Sequence, residues 1–258
     1  MACLLVVSGL DPSGGAGFLA DARIADAHGL RPVGAVTALT VQTTEGVRSV
    51  EPVSAELVSS QLVALLGDVE VAGGKLGMLG SEAVAEAVAD ALRLTGAPVV
   101  WDPVLRPSAG SAPLYHGEPR RALALLRDHL AVVTPNLAEA EALAGFPVRD
   151  VAGMRRAARA IAAEGVACLV KGGHLAGGAA VDVLAEPGAD ESALIEIEAA
   201  RVPGGEDVHG TGCALATALA CRLAAGDALP AAAAAAAAFV RARIAAPVRA
   251  GRGRPSIL

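Results

Sequence analysis

The sequence is short of aromatic residues, lysine, basic clusters and long apolar runs. One Trp, one Tyr and three Phe account for 2% of its 258 residues, so the 53% hydrophobic content is aliphatic and swollen by alanine, as in residues 231–238. The formal charge is −6, and the one basic run is a thin arginine tail at 249–254. That balance excludes a broad electrostatic grip on nucleic acid. No stretch approaches the roughly 20 uninterrupted apolar residues of a membrane helix. Residues 4–7 are too short for a signal peptide and lack its basic leader and cleavage pattern. Cys3, Cys168, Cys213 and Cys221 form no CxxC pair, which points to a reducing, cytoplasmic setting rather than a disulfide framework. The length suits one large domain, residues 1–258, that buries its core without staples.

Of the 21 basic residues only Lys75 and Lys171 are lysines, and both sit beside glycines at the ends of apolar runs. A compact ammonium fits a small phosphate pocket where the arginine fork does not. Lys171 is therefore a candidate phosphate contact, and Lys75 a weaker one.

Short apolar runs alternate with longer amphipathic ones. Strands are expected at 3–8, 33–40, 72–78, 98–102, 131–134 and 166–170, and a hairpin at 181–184 and 194–202 around Pro187-Gly188. Helices are expected from about 17 to 29, then at 54–66 with Ser54 as N-cap, 81–94, 118–127, 136–144, 151–164, 211–225 and 231–245. Such alternation, with strands apolar throughout, predicts an α/β fold with a mostly parallel sheet covered on both faces. Ligands then gather beyond the carboxyl ends of the strands.

Three segments at such ends carry chemistry. Asp11-Pro12-Ser13-Gly14-Gly15-Ala16-Gly17 lies between a strand and a helix and offers close backbone approach. It satisfies the GxGxxG/A pattern formally, but the second strand ends in Thr40-Val41-Gln42-Thr43-Thr44 without the carboxylate that a dinucleotide needs. His209-Gly210-Thr211-Gly212-Cys213 opens a helix, and its successive amides make an anion hole. Cys213 in a first helical turn is expected to have a lowered pKa, and His209 is within possible reach of it. Thr134-Pro135-Asn136-Leu137-Ala138-Glu139 starts another helix, with Thr134 as the expected N-cap. Asn136 and Glu139 suit either a hydrated Mg²⁺ or simple capping. Asp102 adds an oxygen ligand after a buried strand. An anion hole, a lysine and oxygen ligands describe phosphoryl transfer without covalent machinery.

These motifs, with Lys75-Leu76-Gly77-Met78-Leu79, Asp102-Pro103-Val104 and Lys171-Gly172-Gly173-His174, occur in an order that resembles the hydroxymethylpyrimidine/phosphomethylpyrimidine kinases of thiamine biosynthesis, within the ribokinase-like superfamily. The resemblance implies a three-layer α/β/α fold, a homodimer, ATP and Mg²⁺ as cofactors, and a small pyrimidine alcohol and its monophosphate as substrates. It implies that Asp21 and Gln42 read the aminopyrimidine edge and that Gly9, Met78 and Val104 line its pocket. Lys171 would contact ATP phosphates, Asn136 and Glu139 would form the magnesium and phosphate shell with Asp102 as a further metal ligand, and Gly210, Thr211 and Gly212 would form the anion hole. Cys213 would accept the hydroxyl proton or shape the pocket.

The loop after Val104 departs from the pattern, with Arg106 where a lysine or small polar residue is expected. Residues 9–17 and 105–116 are the expected lids. Pyridoxal kinases of the same superfamily are the rival, but they resemble this chain with a lid cysteine that residues 106–116 lack. A non-catalytic vitamin-binding relative would not need the magnesium shell.

Overall fold

Apolar residues follow one another without a break in β1 (Cys3–Leu10), and their side chains alternate between two helical layers. Leu4 and Val6 join the core under one layer, and Leu5 and Val7 join the core under the other. Burial on both faces is why the run is not itself alternating. The protein is described by a computed structural model covering residues 1–107, 113–173, 175 and 179–257. Positions 108–112 of the expected second lid, and His174 of the lysine motif, lie outside the described residues.

The remaining strands are β2 (Arg31–Thr43), β3 (Gly46–Pro52), β4 (Val71–Leu76), β5 (Gly80–Ser81), β6 (Val99–Trp101), β7 (Tyr115–His116), β8 (Val132–Val133), β9 (Ala167–Val170), β10 (Ala179–Ala185) and β11 (Ile195–Ala200). Among the described residues, nine of the eleven strands form one sheet in the order β11-β10-β9-β8-β6-β4-β1-β2-β3, while β5 and β7 pair separately. Strands β9 through β2 in that order are parallel, while β3 pairs antiparallel with β2 at one edge and β10 pairs antiparallel with both β9 and β11 at the other. The chain leaves β1 toward β2 on one side and later returns to β4 on the other.

Helices α1 (Gly17–Ala27), α7 (Thr211–Ala224) and α8 (Leu229–Ile244) pack on one face. Helices α2 (Ala55–Leu66), α3 (Glu82–Leu92), α4 (Pro119–Leu126), α5 (Leu137–Ala144) and α6 (Val151–Ala162) cover the other. The three-layer α/β/α architecture is thus as expected. Small residues set its spacing: a Cβ on Gly73 of β4 would stand 2.8 Å from the Ala224 Cβ of α7. Among the described residues no helix is long and apolar enough to cross a membrane.

Three local expectations are corrected. Strand β2 runs past residue 40 and turns back as β3, an unexpected hairpin, because residues 41–52 mix charges with single apolar residues and show no apolar run. Leu39 and Val41 stay exposed on it. The N-cap of α5 is Asn136 rather than Thr134, since Asn136 Oδ1 accepts the Glu139 N–H at 3.0 Å. Ser54, in contrast, caps α2 as expected by accepting the Leu57 N–H.

Lys75 is the third. Its side chain is fully buried, with Nζ 2.6 Å from Asp21 Oδ2, so it is committed to a protein partner rather than free for phosphate. Asp21 also accepts from Ser8 Oγ at 3.0 Å and Thr217 Oγ1 at 2.7 Å, which ties β1, α1, β4 and α7 together. Burial works against the Lys75 ammonium, but Asp21, with Cys213 and Asp102, outweighs it and holds the pKa above the ordinary lysine value. Gly77 leaves the room, since a Cβ there would lie 2.7 Å from Lys75 Nζ. Lys75→Met strands a buried carboxylate, and denaturant unfolding should show a loss of about 3–5 kcal/mol. The double variant Lys75→Met/Asp21→Asn should recover most of it. A single-variant loss below about 1 kcal/mol would show that the pair is dispensable.

Candidate active site

The carboxyl ends of the parallel strands open onto one cavity of about 1050 Å³, where sheets of this kind bind ligands. Parallel pairing continues past two of those ends. The Lys171 N–H donates to Pro135 O at 2.8 Å, and Asn136 bridges Lys171, so the segments after β8 and β9 stay side by side. Gly172 allows the chain to turn away there, because a Cβ would collide with Val181 O. Its N–H donates to Asp182 Oδ1 at 2.9 Å. Lys171 Nζ is thereby set 2.5 Å from Asp102 Oδ1 at the end of β6. Burial disfavours this ammonium, but Asp102 and Glu139 outweigh it and raise its pKa, so it stays charged.

Glu139 completes a buried triad of charges. Burial, with Asp102 adding, pushes its carboxyl up to about 7 against the opposing pull of Lys171 and the amides of Asn136 and Leu105. Glu139 Oε2 accepts the Asn136 N–H at 2.8 Å, which closes a capping box with the bond already described. The capping alternative thus holds for the Asn136 oxygen, which is spent on the helix, although Asn136 and Glu139 both line the cavity.

Helix α7 begins at Gly210, whose φ of +84° and close approach to Gly15 O exclude a side chain. No side chain caps this end. The amides of its first turn, which an α-helix leaves without internal partners, open onto the cavity. The Lys171 ammonium lies beside them, 3.2 Å from where a Gly212 Cβ would be. Gly210, Thr211, Gly212, Lys171, Asp102 and Glu139 are therefore brought together as the sequence suggests.

Cys213 belongs to the same turn, but its expected low pKa is overturned. Burial pushes the thiol up to about 12. Lys75 and Lys171 oppose this, Asp102 and Asp21 reinforce it, and the balance leaves a thiol at neutral pH. Its possible contact with His209 is also corrected, since the ring points elsewhere. His209 Nε2 lies 3.5 Å from Asp11 Oδ2 and 3.5 Å from Gln42 Nε2. Asp11 anchors the glycine loop by accepting Ser13 and Ala16 N–H groups at 2.8 and 3.0 Å.

Gly9, Gln42, Met78 and Val104 line the other end of the cavity, and Arg106 stands exposed at its mouth. Asp21 does not line it. Its carboxylate is saturated beneath the floor by Lys75, Ser8 and Thr217, so the expected role in reading an aminopyrimidine is not supported. No motif marks the apolar end of the cavity, formed by Val208, Leu215, Val240 and Ile244. The signal was the helical spacing of Ala237, Val240, Arg241 and Ile244, which places them on one face of α8.

Comparison with known proteins agrees with this geometry. A family profile described as phosphomethylpyrimidine kinase matches residues 11–257. The chain is 42% identical to a hydroxymethylpyrimidine/phosphomethylpyrimidine kinase of Rhizobium meliloti, over 98% of this chain and 95% of that one. It is 39% identical to one of Streptomyces coelicolor, over 97% and 91%. Among solved structures, an ADP complex of Bacillus subtilis pyridoxal kinase superposes with a TM-score of 0.86 at 27% identity, covering 99% of this chain and 96% of that one. A phosphomethylpyrimidine kinase from Clostridium difficile gives 0.78 at 29% identity, covering 95% and 100%. With this match along nearly its whole length, the chain belongs to the phosphomethylpyrimidine kinase family.

Proposed function

We propose that this protein transfers the γ-phosphoryl group of ATP to 4-amino-5-hydroxymethyl-2-methylpyrimidine and then phosphorylates the monophosphate to the diphosphate, in thiamine biosynthesis. The observation that carries the phosphoryl-transfer half is the uncapped first turn of α7 with Lys171 against Gly212. The acceptor follows from the curated relatives, which are named for the pyrimidine at 39–42% identity. Pyridoxal is the second reading, and the Bacillus subtilis pyridoxal kinase favours it by fold.

The acceptor hydroxyl oxygen attacks the γ-phosphorus as the bond to the β-phosphate oxygen breaks. Amides at residues 211–213 and the Lys171 ammonium face the charge on the transferring oxygens, fixed in place before reaction. The apolar end at Val208, Leu215, Val240 and Ile244 receives the nucleotide base, which leaves Gly9, Gln42, Met78 and Val104 for the pyrimidine. The hydroxyl proton departs late in a loose transition state, so Cys213 works as a neutral wall of the hydroxymethyl end rather than as a standing thiolate base.

Asp102 and Glu139 fit a magnesium ion. They are buried carboxylates at one edge of the phosphate site, and the described residues hold no cluster of three His, Cys, Asp or Glu that would cage a metal. That donor set suits an ion that keeps its waters and uses few protein oxygens. Magnesium would supply neutralisation of phosphate charge. A homodimer and a cytoplasmic setting belong to the same reading: all four cysteines are free, and Leu39 and Val41 expose apolar surface on β2.

Three outcomes follow. A coupled ATPase assay should give a higher kcat/KM with the aminopyrimidine alcohol than with pyridoxal, with mono- and diphosphate seen by mass spectrometry, and the reverse preference would exchange the two readings. Lys171→Met should lower kcat by about 10²–10³-fold, as loss of one fixed donor does, whereas a change below threefold would remove the lysine from the phosphate site. Alkylation by iodoacetamide, mapped to the Cys213 peptide at pH 8, should run at least tenfold slower than for an ordinary thiol of pKa about 8.5. Reaction at the ordinary rate would restore the thiolate.

A further inference from the structure

The ring of His209 is clamped in place although no step of the transfer uses it. Its backbone is held on both sides by the end of the chain: the His209 N–H donates to Pro255 O at 2.8 Å, and His209 O accepts the Ile257 N–H at 3.2 Å. Gly15 packs against the imidazole so closely that a Cβ would stand 2.8 Å from His209 Cδ2. The same tail reaches the β2–β3 turn, where Gly253 N–H donates to Thr44 Oγ1 at 3.0 Å and Arg254 N–H to Thr44 O at 3.0 Å. Ring and hairpin are therefore fixed by one strap, and the hairpin carries Gln42.

Counting protons along this path gives one consistent arrangement. Thr40 Oγ1 lies 2.8 Å from Leu10 O, which only accepts, so the single hydroxyl proton goes there. The Thr40 oxygen is then an acceptor toward the Gln42 carboxamide, 3.2 Å away. The carboxamide must present its nitrogen to Thr40 and its oxygen to His209, an orientation that the network decides. This turns the carboxamide over, so that its oxygen takes the place of the nitrogen 3.5 Å from His209 Nε2, and Asp11 Oδ2, a second acceptor, lies 3.5 Å from the same ring nitrogen. Both demand a proton on Nε2.

We propose that His209 is a positioning residue whose single Nε2–H, shared between the Asp11 carboxylate and the Gln42 carboxamide oxygen, favours one orientation of that carboxamide and thereby sets which of its ends reads the pyrimidine ring. This deepens the function proposed above and rests on the pyrimidine acceptor. The lock leaves Gln42 with one free N–H and one free oxygen lone pair for the ligand, in a fixed order. Loss of the lock lets the carboxamide rotate, and binding of the ring weakens while the phosphoryl site is untouched.

Two measurements decide it. In the ligand-free protein, ¹⁵N NMR of labelled histidine should show His209 with its proton on Nε2, and a proton on Nδ1 alone would overturn the lock. In steady-state kinetics, His209→Phe should raise KM for the aminopyrimidine alcohol about tenfold, the worth of one hydrogen bond. The kcat and the KM for ATP should change less than twofold. His209→Gln, which places an amide N–H where Nε2 was, should restore most of the affinity. Equal damage to both substrates in His209→Phe, or no rescue by His209→Gln, would reduce His209 to packing. A wild-type protein inactive on the alcohol would refute the acceptor instead, and the NMR result would still judge the lock.

Discussion

The arrangement depends on the start of α7, which like those of α1, α4 and α8 has no side-chain cap but, unlike an ordinary helix end, opens onto the cavity. Most α-helices satisfy part of their first-turn amides with a side-chain oxygen, and α2, α3, α5 and α6 do so through Ser54, Ser81, Asn136 and Asp150. Helix α7 has Gly210 in that place, in a left-handed conformation pressed on Gly15, where no side chain fits. The donors remain, and an anion from outside is what answers them. The glycine loop after β1 and the turn before α7 are one packed unit, which explains why both segments are poor in side chains.

The two lysines, one buried and one half-buried, then differ in role by the company they keep. Lys75 meets Asp21 below the floor, where Ser8 and Thr217 fill the remaining acceptor sites, and the result is structural. Lys171 meets Asp102 at the cavity wall and remains 13% exposed. In the proposed function an incoming phosphate would compete with Asp102 for Lys171, and a magnesium ion at Asp102 would relieve that exchange. The raised pKa of Glu139 has its cause in the same place, where burial, with Asp102 adding, outweighs the opposing pull of Lys171.

The sheet was legible because its central strands are apolar runs between helices with clear starts, such as Ser54 before α2 and Gly210 before α7. The β2–β3 hairpin was not, because its residues pair at an exposed edge and need no apolar face. At the site, glycine spacing and Lys171 marked the end of the cavity proposed for phosphate, whereas Lys75 did not belong to it. Misread residues were those whose meaning depends on burial depth. Asp21 and Cys213 have the right chemistry for substrate contact and base catalysis, but one is saturated below the floor and the other is desolvated into a thiol. Chain proximity also misled for His209, four residues from Cys213 yet turned toward Asp11 and Gln42.

The strap over the substrate end has a consequence for how the protein comes into being. Residues 253–257 hold Thr44 and His209, and Ile257 is buried in the core beneath α1 and α7. These residues leave the ribosome after every other part of the cleft has been made. A nascent chain can assemble its whole sheet and still lack a closed wall, so ligand-assisted folding has to wait until residues 253–257 have been made.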